Sequence, residues 1–326
     1  MQHFARSLAL FIFVLFLSQA VSAQDVDREA FQDTDSLVSA LGPMQDSSLK
    51  RIVRSTTALC RDQACLVRAI YKWIINNIEY DCLMAGRPER VNNSASNVLA
   101  TRKGTSLGYA NLVAEMCRIA GLSCSVVTGL AKWDSEHIGR VDNKTNSHSW
   151  NVVQARNRWF VLDASHGAGF CEGRDFVSQQ TDAWFLTNRK LFALCHFPHD
   201  KRLQLLDTPI ERAAFIAAPV IGPTASVFGI FPMQGQRGIL RGRQDSSLLV
   251  SFVVRPIRMM ERIISVSVIA AGILKEIPFS KTEDILTVII PFPKEGKYPV
   301  TLLVNNGNVM SFRAEVLPRL IRSGRN

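Results

Sequence analysis

Between residues 64 and 163 the apolar pattern changes period, and few folds accommodate such a change. Leu66, Ile70, Trp73, Ile74 and Ile78 recur at intervals of three and four, so they line one face of a helix that packs on a core and ends near Asn76-Asn77. Tyr109, Leu112, Val113, Met116, Cys117 and Ala120 repeat that spacing, with Gly121 placed to take a left-handed cap. This second helix begins right after Lys103-Gly104-Thr105-Ser106. Three strand candidates follow, Cys124 to Leu130, Ser149 to Ala155 and Trp159 to Asp163, the last two joined by a turn at 156–158. Helix, helix, then antiparallel strands predict an α+β domain.

From Pro219 the texture becomes β-rich: Leu248 to Val254, Ile263 to Ala270, Ile285 to Phe292, Val300 to Val304 and Val309 to Val316, separated by Gly, Pro, Asp and Asn. Ile264, Val266 and Val268 alternate with Ser265 and Ser267, the pattern of a half-buried strand. Asn306-Gly307 is a two-residue hairpin signal. A small antiparallel sandwich is expected, and Gly296-Lys297-Tyr298 resembles the tyrosine corner of immunoglobulin-like domains.

At 326 residues and 47% apolar, the chain has material for two modest cores. Met1 to Ala23 reads as a signal peptide: a polar start with Arg6, an apolar run from Leu8 to Leu17, and the small-residue ending Val21-Ser22-Ala23. A secreted or periplasmic protein is expected, with no membrane span in the mature chain because no later apolar run is long enough. The net charge of +10 sits largely in late arginines, among them Arg237, Arg241, Arg243, Arg255, Arg258 and Arg262. These would suit an anionic envelope component, although apolar residues interrupt them at strand-like spacing, which favours a solvated face. No nucleic-acid module is present. Seven cysteines leave at least one unpaired within the chain; Cys60 and Cys65 could bridge locally, Cys82 could be a structural thiol or a bridge partner, and Cys117 and Cys124 suit buried thiols. No cofactor and no structural metal are expected, since no cysteine–histidine set has zinc spacing.

Three residues stand where a nucleophilic triad needs them: Ser106 at a helix start, His148 opening a strand and Asp163 closing the next. Their surroundings are specific. Ala69-Ile70-Tyr71-Lys72-Trp73-Ile74, Asn77-Ile78-Glu79-Tyr80-Asp81, Arg102 to Ala110, His148-Ser149-Trp150-Asn151, Trp159 to Gly169, Trp184-Phe185-Leu186-Thr187 and His196-Phe197-Pro198 follow one another in order. The series resembles transglutaminase-like proteins of the kyphoscoliosis-peptidase group. That resemblance implies a papain-like transglutaminase core and thiol-based acyl transfer or amide hydrolysis, with cysteine at the position of Ser106 and often tryptophan at that of His166.

The expected division is a signal peptide at 1–23, a lead-in at 24–63, a transglutaminase-like domain at 64–215, a β-sandwich at 216–318 and a basic tail at 319–326. Cys117 lies roughly 16 Å along the helix from Ser106 and cannot substitute for a missing nucleophile. The expectation is a catalytically inactive protein that binds a protein or peptide partner; the alternative is an active peptidase, amidase or acyl transferase using a Ser106-His148-Asp163 triad.

Overall fold

The computed structural model describes residues 31–319 apart from 46 and 86, so the leader expected at 1–23 and all but the first residue of the tail lie outside the described residues. Helices α1 (Gln32–Leu41) and α2 (Leu49–Thr56) lead into α3 (Gln63–Asn77), where the Asp62 carboxylate accepts from the Cys65 amide at 2.9 Å and caps the first turn. The helix ends where the spacing predicts. Strand β1 (Glu79–Tyr80) pairs in parallel with β2 (Lys103–Gly104), which follows α4 (Ala95–Thr101) and runs directly into α5 (Ser106–Ile119). Gly121, at φ +75°, takes the left-handed conformation beyond the end of α5.

Helix α5 lies on an antiparallel sheet ordered β5-β4-β3-β8, built from β3 (Cys124–Ala131), β4 (Ser147–Ala155), β5 (Arg158–Leu162) and β8 (His196–Pro198). Between β5 and β8 come α6 (Ala164–Ala168), the hairpin of β6 (Gly169–Glu172) and β7 (Asp175–Ser178), and α7 (Arg189–Cys195). Strand β4 begins before Ser149, so His148 lies inside it. Asp163 does not close β5 but follows it and caps α6, because its carboxylate accepts from the amide of His166 at 3.1 Å.

The lead-in is part of the first core: Phe31, Val38, Ile52 and Val53 are buried with Ile70, Trp73 and Ile74 of α3. Arg68 fastens it. Its buried guanidinium bonds Asp35 of α1 at 2.8 and 2.5 Å and Asp182 at 2.7 and 3.0 Å. The rings of Phe31 and Phe185 lie 5.8 and 5.0 Å from it. Disulfides join Cys60 to Cys65, as their proximity suggests, and Cys82 to Cys171, tying the segment after β1 to the β6–β7 hairpin. Cys117, Cys124 and Cys195 are free thiols.

The β-rich part forms two sheets. Strands β10 (Ile230–Pro232), β12 (Ser247–Val254), β16 (Ile285–Pro291) and β15 (Phe279–Thr282) make one, in the order β10-β12-β16-β15. The other runs β11-β18-β17-β13-β14, from β11 (Ile239–Arg243), β18 (Gly307–Leu317), β17 (Gly296–Val304), β13 (Val266–Ala270) and β14 (Ile273–Glu276), with β9 (Val220–Ile221) also on β18. Five of these strands follow from the sequence; β10, β14 and β15 are too short to show an alternation, and Ile239-Leu240-Arg241-Gly242-Arg243 of β11 does not alternate. The β17–β18 turn is Asn305-Asn306, at φ +48° and +64°, one residue earlier than Asn306-Gly307 predicts. The Asn305 side chain sets that register by accepting from the amides of Ile264 and Ser265 and donating to the Arg262 carbonyl. Those bonds also explain why β13 begins at Val266 rather than Ile263.

One apolar core continues from Val127, Trp150 and Phe192 into Val220, Ile221 and Val309. At the junction buried Lys132 donates to the carbonyls of Phe215 at 2.6 Å and Ala218 at 2.7 Å. Among the described residues no helix is long and apolar enough to cross a membrane. Arg68→Met leaves Asp35 and Asp182 facing each other without their cation; we expect a loss of about 3 kcal/mol in urea unfolding, against a negligible change for Arg90→Met on the surface.

Candidate active site

Ser106 is the first residue of α5 and is 5% exposed. The preceding Thr105 contributes no side-chain cap, because its hydroxyl donates to Asn93 Oδ1 at 2.6 Å. The positive end of the helix therefore opens at Ser106 without a side-chain oxygen from the N-cap over it. Asn151 of β4 donates to the Ala110 carbonyl at 3.0 Å and fixes α5 over the sheet. Tyr80 hydrogen-bonds Ser106; burial pushes its phenol above the ordinary value, the Ser106 bonds oppose that, and the charge of Asp163 reinforces it.

His148 pairs across the sheet with Gly129, which on its other side pairs with Pro198. A Cβ at Gly129 would fall 2.2 Å from the Phe197 carbonyl oxygen and 2.8 Å from Trp150, so only glycine fits. With the middle strand bare at that point, the rings of His148 from β4 and His196 from β8 approach to 5.6 Å between centroids.

Asp163, 1% exposed, is where the rings converge. Its Oδ2 lies 2.7 Å from His148 Nε2, 3.0 Å from His196 Nε2 and 3.2 Å from His166 Nδ1. Its Oδ1 accepts from Ser165 Oγ at 2.7 Å and from the His166 amide at 3.1 Å. Burial alone would raise this carboxyl, but the facing imidazoles, His166 and His148 first, hold it well below the usual range. Burial lowers His166 to about 3 and also depresses His196. The His196 ring is buried and stacks on Phe192 at 3.8 Å, so a positive charge on it would be held out of water. In neutral His148 the proton on Nε2 is given to Asp163, which leaves Nδ1 with the lone pair of a general base.

Of the three residues the sequence singles out, two meet directly, His148 and Asp163. Ser106 is buried at the head of α5 against Tyr80, which senses the same carboxylate. His196 and Tyr80 belong to the site although no role was assigned to them; both stand in the ordered motifs, His196-Phe197-Pro198 and Tyr80-Asp81. His166, where the resemblance often implies tryptophan, faces Asp163 itself.

A helix that opens at Ser106 and packs on an antiparallel sheet carrying a histidine–aspartate pair is the arrangement of a transglutaminase-like core. Residues 50–164 match the transglutaminase-like superfamily, and the chain carries that domain. Kyphoscoliosis peptidases are among its relatives there. Over 198 residues it is 31% identical to kyphoscoliosis peptidase of Homo sapiens, covering 60% of this chain and 30% of that protein, and it matches the Mus musculus protein to the same degree. Hillarin of Drosophila melanogaster is 23% identical over 208 residues, 59% of this chain and 25% of the relative. The alignments thus span 30% or less of these relatives' own length. A crystal structure of a TGase is matched over 49% of this chain and 37% of that one, at 18% identity and a TM-score of 0.29.

The pH dependence follows from the depressed rings of His166 and His196. The folded pKa of His166, about 3, lies below its unfolded value of roughly 6.5, so between those limits the unfolded chain binds a proton that the folded one refuses. Stability therefore falls as pH drops through that window, by up to about 1.4 kcal/mol per pH unit for each such histidine. His196 acts in the same direction, whereas the Asp163 contribution is lost only below the ordinary carboxyl pKa. Urea midpoints are expected to fall clearly from pH 7 to pH 5 in the wild type, and by less in His166→Trp.

Proposed function

We propose that this chain is a secreted or periplasmic transglutaminase-like protein without acyl-transfer activity, acting as a binding or scaffold module for a protein or peptide. The observation that carries the reading is Ser106 at the first position of α5, a position at which the resemblance to kyphoscoliosis-peptidase proteins implies cysteine. A helix N-terminus and an imidazole can ionise a thiol at neutral pH. The same field leaves a serine hydroxyl protonated, because its pKa lies far higher, and attack then depends on concerted proton transfer in a site shaped for sulfur.

Two disulfides support an oxidising compartment. We read the paired C-terminal sheets as immunoglobulin-like: edge strand β11 runs parallel to the last strand β18 while the earlier β10 joins the opposite sheet, an arrangement suited to a recognition module. For an anionic envelope component the support is thinner, since Arg241 is paired with Glu315 and Arg255 with Asp284.

The second reading, a serine-dependent hydrolase or acyl transferase, draws on the 2.7 Å bond between His148 and Asp163, which would orient a base. Ser106→Cys separates the two. We expect the wild type to show no amide hydrolysis and no labelling by a serine-directed phosphonate, and Ser106→Cys to gain thiol-dependent turnover. Labelling of wild-type Ser106, with turnover abolished in both Ser106→Ala and His148→Ala, would overturn the inactive reading.

A further inference from the structure

Asp163 has more polar neighbours than a carboxylate can serve. A carboxylate offers about four lone-pair sites. Ser165 Oγ and the His166 amide take two of them on Oδ1, while three imidazole nitrogens crowd Oδ2 within 3.2 Å. Five groups thus compete for four positions, and one ring nitrogen facing the carboxylate has no acceptor for a proton. A triad explains His148 alone. It gives no reason for two further imidazoles to converge on the same oxygen in a pocket walled by Trp150, Trp184 and Phe192.

We propose that His148, His166 and His196, with Asp163, form a binding site for a divalent transition-metal ion of the zinc class. One ligand atom from each of the four residues lies within 4.8 Å of the others, and the ring nitrogens that face Asp163 Oδ2 are His148 Nε2, His166 Nδ1 and His196 Nε2. Three imidazoles and a carboxylate in a closed site are the donor set and number that tetrahedral zinc takes. Ligands about 2.1 Å from a tetrahedral ion stand about 3.4 Å apart, so the widest separation closes by about 1.4 Å through side-chain rotation. The His166 side chain is 19% exposed while those of His148, Asp163 and His196 are 4%, 1% and 0% exposed, which makes the His166 edge the route from solvent.

No redox partner is required. A neutral imidazole frees the ligating lone pair by carrying its proton on the other ring nitrogen, and Asp163 donates as the anion. For His148 that transfer moves the proton onto Nδ1, the atom a triad needs as base. An ion in this site therefore excludes base catalysis by His148, so metal occupancy and triad chemistry are alternatives.

The proposal does not rest on the reading of Ser106, because it is tested by binding and not by turnover. Full-length protein stripped with a chelator is titrated with zinc chloride by calorimetry. One ion per chain is expected, with affinity weakened at least about a hundredfold in His166→Trp and in His196→Ala, and unchanged in Ser106→Ala and in the Cys117→Ser/Cys124→Ser pair. Absence of zinc binding to the wild type, undiminished affinity in a folded His166→Trp, or loss of the ion in the cysteine pair would overturn the proposal. Cobalt added to the wild type supplies a readout that needs no variant: visible bands of a nitrogen–oxygen site without a sulfur charge-transfer band are expected. A sulfur band, or no protein-bound bands, would refute it.

Discussion

A carboxylate taken out of water holds this site together. Moving such an anion into a protein interior costs several kcal/mol unless donors surround it, and Asp163 recruits them from three separate elements: His148 on β4, His196 on β8, and the first turn of α6, whose end it caps. Disturbing any of the three removes a donor from a charge that cannot reach solvent. The polar centre thus fixes the relative placement of strands that apolar packing alone would leave free to slide.

The constraint reaches outward through small contacts. Gly129 leaves the centre of the sheet bare so that rings from its two neighbours can meet, and the crowding around its absent Cβ shows how little room β3 and β8 leave. Arg68 repeats the principle in the opposite sign, a buried cation between Asp35 and Asp182 that joins α1 to α3 and to the segment preceding α7. Lys132 does so again at the junction with the β-rich part, capping two carbonyls beyond the first sheet. Each buried charge is local chemistry, yet each joins elements distant in sequence.

Much of this was legible in the chain. The helices α3 and α5 and their ends follow from spacing, because a helical face must bury every third or fourth residue. His148 and Asp163 follow from motif order. The strand ends were less legible: Asp163 passed for a strand residue because nothing local reveals that its carboxylate caps α6, and the β17–β18 turn slipped by one residue because Asn305 is held by Arg262, Ile264 and Ser265. Short edge strands such as β14 and β15 left no alternation to read.

By itself, then, the sequence determined the α+β core, the following β-rich part, and His148 and Asp163 as partners, since periodicity and motif order depend only on residues near one another in the chain. Tertiary structure decided that His166 and His196 share an oxygen of Asp163 with His148, that Cys82 bonds Cys171, and that Tyr80 meets Ser106. Those are encounters between residues on different elements, set by strand register and by the solvation cost of a buried charge, and no local pattern encodes either.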